Sequence, residues 1–105
     1  MRHYEVFITD KAKDEMEAIN TYIAETLQNP IAAAKQYNRI ADAILTLEKM
    51  PERIKVMASE PEHSKGLRAL FVDNYTVFFI IKADMVYVLR VLYSASDIIS
   101  RLSVE

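Results

Sequence analysis

Between Leu67 and Ile98 the sequence reads LRALFVDNYTVFFIIKADMVYVLRVLYSASDI, and this stretch constrains the fold more than any other. Val, Ile, Phe, Tyr and Leu dominate it, and such side chains suit a pleated, buried surface. Asp73-Asn74 and Lys82-Ala83-Asp84 cut it into three runs. Asp and Asn tolerate the left-handed backbone of a tight hairpin, so the runs are predicted to form a three-stranded antiparallel meander. The middle run, Tyr75 to Ile81, is apolar at nearly every position, which predicts a strand covered on both faces. One charge interrupts the last run. Strict alternation places Arg90 on the same side as Val86, Val88 and Leu92.

The preceding residues have the other periodicity. Tyr4 to Ile8 alternates as a short strand, and Thr9 or Asp10 offers a helix N-cap. Ala12, Met16, Ile19, Ile23 and Leu27 then recur every three or four residues, with Lys11, Lys13, Asp14, Glu15 and Glu17 off that face. Asn29-Pro30 ends one helix and opens the next, the proline sitting at a first-turn position behind an Asn cap. The second apolar face runs through Ala33, Ala34, Tyr37, Ile40, Ala41, Ile44 and Leu47 to Met50-Pro51. So short a break predicts an antiparallel helix hairpin. Pro51, Pro61 and Gly66 mark residues 51–66 as a loop, with a brief extended piece at Ile54 to Met57. Ser96 or Asp97 caps a final short helix containing Ile98, Ile99 and Leu102.

The element order is therefore β-α-α-β-β-β with a short C-terminal helix. Two amphipathic helices need a sheet face on which to bury their apolar sides. The expected fold is a two-layer α+β domain, residues 1–105, with the helix hairpin on one face of an antiparallel sheet. The opposite sheet face is then free for a ligand or a partner.

Composition narrows the chemistry. The chain has no cysteine, so it offers no disulfide and no thiolate nucleophile or metal ligand. A single glycine rules out a Gly-rich phosphate loop. His3 and His63 lie far apart, with no second metal ligand at helical or strand spacing, and no metal or cofactor is expected. No apolar run approaches membrane-spanning length, and the N-terminus lacks the apolar core of a signal peptide, so a cytoplasmic location is expected. Thirteen basic residues against fifteen acidic ones give a net charge of −2, and neither half of the chain is basic. Direct sequence-specific DNA binding is not expected, because phosphate contacts demand a basic stripe. Ser94, Ser96 and Asp97 lie close together, but that pattern is common at a helix start and reads as capping rather than as a nucleophile.

An ordered set of residues nevertheless resembles a known family. Tyr22-Ile23, Asn29-Pro30 with Ala32-Ala33, Leu47-Glu48 and Met50-Pro51 punctuate the helices. Gly66-Leu67-Arg68, Asn74-Tyr75, Arg90-Val91-Leu92-Tyr93 and Asp97-Ile98 punctuate the meander. Together they are similar to the RelE/ParE superfamily, the toxins of type II toxin–antitoxin systems, also called plasmid stabilisation or addiction-module toxins. The resemblance covers nearly the whole chain. It implies neutralisation by a cognate antitoxin that wraps the toxin. It also implies one of two targets. The RelE branch cuts messenger RNA on the ribosome; the ParE branch inhibits DNA gyrase.

RelE-type nucleases carry an arginine shortly after the aromatic residue that opens the third strand, and a basic residue just before the closing acidic one. Thr76 and Ser96 stand at those places here. Cleavage of RNA needs cations on the phosphate and a general base for the ribose hydroxyl. If the nuclease reading holds, Arg68, Arg90 and Tyr93 are the catalytic candidates, with Lys65 nearby. Each has a plainer reading. Arg90 pairs with Asp97 or a helix carboxylate, Arg68 is a solvated edge charge, Tyr93 is a rim or core aromatic, and Lys65 is a surface lysine. The departures favour a toxin that acts by binding a protein target such as gyrase, with ribosome-dependent cleavage as the alternative.

Overall fold

The computed structural model of the chain describes residues 3–94. The helix expected at Ser96 or Asp97, and any pairing of Arg90 with Asp97, lie outside these residues. Strand β1 (Glu5–Ile8) leads into helix α1 (Asp10–Thr21), which continues as a π-helical turn over Tyr22–Thr26. Helix α2 (Pro30–Leu45) follows, and then strands β2 (Arg68–Val72), β3 (Tyr75–Lys82) and β4 (Met85–Tyr93).

The caps are the predicted ones. The Thr9 hydroxyl accepts from the Ala12 N–H at 3.2 Å, and the Asn29 side chain accepts from the Ala32 N–H at 3.1 Å with Pro30 opening α2. Each satisfies a first-turn donor that the helix itself cannot. Asp73 takes a positive φ of 55° in the β2–β3 turn, as the Asp-Asn pair requires.

The sheet order is β1-β4-β3-β2. The meander is antiparallel as expected, but β1 lies parallel to β4, with Ile8 opposite Val88, so the sheet is mixed. Turn chemistry fixes the direction only of strands joined by a tight turn. β1 and β4 are separated by both helices and two strands, and nothing local determines how they meet.

Both helices cover one face. Ala12, Met16, Ile40, Ile44 and Leu47 pack there against Val72, Val77, Phe79, Val86, Val88 and Val91. The other face was expected to be free, yet it carries a second apolar cluster of Leu67, Phe78 and Leu92, all buried. Met57 from the 51–66 segment packs against that cluster, and its N–H donates to the Leu67 carbonyl at 2.8 Å. This covering accounts for the run of buried residues from Thr76 to Phe79.

A β-bulge interrupts the last strand pair. Phe79 faces Val88 and Phe78 faces Arg90, leaving Leu89 as the extra residue. The bulge overturns the predicted alternation. Val91 joins Val86 and Val88 on the helix side, while Leu92 joins the opposite cluster. An inserted residue shifts every later side chain to the other face, and residue-type patterning alone does not reveal it. Among the described residues no helix is long and apolar enough to cross a membrane.

Candidate functional site

The residues singled out from sequence do not converge. Arg68 opens β2 opposite Phe79, whereas Tyr93 closes β4 opposite Tyr75. Those positions are offset by four residues along β3, roughly 13 Å at the usual rise. The Arg68 guanidinium donates to the Ile54 carbonyl at 2.6 Å and more distantly to that of Glu52 at 3.4 Å. It therefore fastens the loop to β2, a more specific role than a solvated edge charge. Lys65 is exposed in the same loop, next to Gly66, whose φ of 73° a side chain would disfavour. Thr76 is buried, and its hydroxyl shares a 2.7 Å hydrogen bond with that of Ser94.

Arg90 is buried and pairs with a helix carboxylate, that of Glu15. Its Nε and Nη2 both donate to Glu15 Oε2, at 2.9 and 2.7 Å. The other oxygen, Oε1, accepts from the Val91 backbone N–H at 2.9 Å. The edge of β4 explains this arrangement. β4 runs past the end of β1, so among the described residues its outer edge has no strand beside it from Leu89 onward. Thr9 Oγ1 donates to the Leu89 carbonyl at 3.2 Å, and Glu15 takes the next exposed donor. The helical periodicity by itself places Glu15 among the surface charges of α1. The signal was there: Glu15 falls three residues after Ala12 and four before Ile19, at the rim of the buried stripe.

A groove of about 690 Å³ lies between this β4 edge and the π-helical end of α1. Its walls include Ile19, Ile23, Leu27, Tyr22, Tyr75 and Tyr93. Leu27, predicted to share the buried face of α1, is instead 56% exposed here. The π turn is the reason, since its Leu27 N–H reaches back to the Tyr22 carbonyl and changes the rotation of the last turn. The Tyr75 and Tyr93 rings meet edge to face, with centroids 5.7 Å apart. Burial pushes the Tyr75 hydroxyl above its ordinary pKa, and the neighbouring Tyr93 and Tyr22 add to the shift. Glu15 is the one charged side chain in the lining among the described residues, and Arg90 already neutralises it.

At the mouth of the groove, Arg39 on α2 grips Asp73 in the β2–β3 turn with two bonds of 2.6 and 2.8 Å, and Gln36 adds a third at 3.1 Å. These bonds hold the Asp73 carboxyl below its usual pKa. The clamp fixes the distance between α2 and the turn that carries Asn74 and Tyr75. Among the described residues no group of three or more His, Asp or Glu is placed to hold a metal. The arrangement is thus an apolar and aromatic groove with hydrogen-bonding rims, suited to a chain segment rather than to a phosphate.

Residues 6–98 match the family model of the ParE toxin of the type II toxin–antitoxin system parDE. No curated protein matches the sequence. Among solved structures, a chain of the chromosomal ParDE toxin–antitoxin system from P. aeruginosa is similar. It has 22% identity and a TM-score of 0.73, over 87% of this chain and 96% of that one. A chain of the toxin–antitoxin complex RelBE2 from Mycobacterium tuberculosis is also similar. It has 19% identity and a TM-score of 0.62, over 87% of this chain and 98% of that one.

Proposed function

The chain belongs to the ParE toxin family of type II toxin–antitoxin systems, and from that premise we propose that it acts by occupying a protein target, DNA gyrase being the first candidate. A cognate antitoxin, bound through an extended or helical amphipathic segment, neutralises it. The observation that carries the binding mode is the state of Arg90. Its charge is spent on Glu15 inside the fold, and Arg68, engaged with loop carbonyls, stands well away from Tyr93. Stabilising a phosphate transition state requires cations already aimed at one point. A target-binding toxin requires only exposed complementary surface, and Tyr22, Leu27, Ile31 and Tyr93 are all about half exposed or more.

The antitoxin half of the reading is supported by the two similar structures, both from toxin–antitoxin systems. Its check is co-expression with the neighbouring small gene product, which is expected to co-purify with this chain. Segments that fold on binding use long apolar contacts, and the groove provides them. For the target, the test is a supercoiling assay with purified gyrase, run beside purified ribosomes programmed with a defined message. Loss of supercoiling in proportion to added protein supports the proposal. Codon-dependent cleavage of the message that disappears on Arg68→Ala would instead assign the chain to the ribosome-dependent nucleases.

A further inference from the structure

We infer that the groove receives a cationic side chain, arginine in preference to lysine, carried on an otherwise apolar segment of the antitoxin and held among Tyr22, Tyr75 and Tyr93. The inference rests on the antitoxin reading above and specifies the chemistry of that partner.

Three tyrosines line one groove, two of them about half exposed and two in edge-to-face contact at 5.7 Å. An edge-to-face pair leaves the electron-rich face of one ring uncovered, and such faces attract guanidinium and ammonium groups. The other polar groups of the lining are the Gln36 and Asn74 amides and the Glu15 carboxylate. These side chains, with the tyrosine hydroxyls, offer acceptors, and no lysine or arginine lines the groove among the described residues. Glu15 is occupied by Arg90 and the Val91 N–H, so it cannot give an incoming cation a full salt bridge. What remains is a field of ring faces and neutral acceptors over an apolar floor of Ile19 and Ile23. That environment favours arginine, whose planar and weakly hydrated guanidinium stacks on aromatic faces, over the strongly hydrated ammonium of lysine. Burial first, and then the nearby Tyr93 and Tyr22, raise the Tyr75 pKa, which agrees with the closeness of the three side chains.

The test uses the purified chain with its tyrosine rings carbon-13 labelled. The probes are N-acetyl-L-arginine amide, its neutral isostere N-acetyl-L-citrulline amide, and N-acetyl-L-leucine amide, each titrated while the ring signals are followed by NMR. The arginine probe is expected to move the Tyr22, Tyr75 and Tyr93 signals saturably. It should bind about threefold to thirtyfold more tightly than citrulline, the span of a cation–π contact from exposed to desolvated. Tyr22→Leu, an exposed position, should remove the preference at unchanged melting temperature. Equal or tighter binding of the citrulline or leucine probe overturns the inference, as does a preference that survives Tyr22→Leu. A chain that captures its antitoxin yet fails to discriminate the probes sinks this inference alone; a chain that captures no antitoxin sinks the reading beneath it.

Discussion

At the residue scale, Glu15 and Arg90 together close the outer edge of β4. The two side chains are 14% and 6% exposed, so removing Arg90 would leave the Glu15 carboxylate a largely buried charge, and removing Glu15 would take two charge-assisted bonds from Arg90. Glu15→Ala also orphans the Val91 N–H on the open edge of β4. We expect it to cost about 3–5 kcal/mol in denaturant unfolding, the usual penalty for removing one partner of a buried pair. A loss near zero would show that solvent or another group takes over both contacts. Arg90→Ala should lower stability likewise, so its effect on toxicity is interpretable only beside a melting curve. Sequence reading anticipated a helix carboxylate opposite Arg90 but left Asp97 as an equal choice. That Glu15 supplies the helix carboxylate depends on how α1 lies across the bulged strand, a property of packing and not of spacing, while Asp97 lies outside the described residues. Asp73 supplies a prediction in pH. Held below its ordinary value by Arg39 and then Gln36, it binds fewer protons folded than unfolded. Its contribution to stability is present above the ordinary Asp range and fades as pH falls through the depressed pKa. Carboxyl NMR should show Asp73 titrating late on acidification, and Arg39→Ala should return it toward the ordinary value with little change in melting temperature, since the pair is exposed.

At the element scale, the helix hairpin was legible because its punctuation is chemical. A threonine cap, an asparagine cap and a first-turn proline each satisfy or dispense with a donor that a helix end leaves unpaired. Asn29→Ala should cost about 1 kcal/mol, read as a shift in the unfolding midpoint at unchanged slope, and no shift would mean that water caps α2 as well as the side chain does. The elements that escaped sequence reading are those that break a period. The π turn at Tyr22–Thr26 carries ordinary helix formers, and the bulge at Leu89 sits in an unbroken apolar run. Neither has a residue signature such as a glycine. Both border the groove: one exposes Leu27, and the other turns Val91 in place of Leu92 toward the helices. Places where local period and tertiary structure disagree are where function is most often found.

At the scale of the whole molecule, the acidic chain, the neutralised Arg90 and the apolar groove form one pattern. Its net charge of −2 gives it little electrostatic pull toward ribosomal RNA, while its exposed aromatic and aliphatic side chains suit contact with protein. The layer architecture was readable from the element order, because two amphipathic helices and a meander have few ways to bury their faces. Covering of β3 on both faces was readable from its apolar run, but the parallel docking of β1 and the use of Met57 from the 51–66 segment as part of the cover were not, since both depend on contacts between residues far apart in the chain. The central claim is that this toxin works by binding a protein. Its most direct test is to induce the chain without antitoxin and, in the same culture over time, record plasmid supercoiling and the rate of protein synthesis. Supercoiling is expected to fall first while translation continues. Translation that stops first, with messages cut at defined codons and supercoiling intact, would contradict that claim.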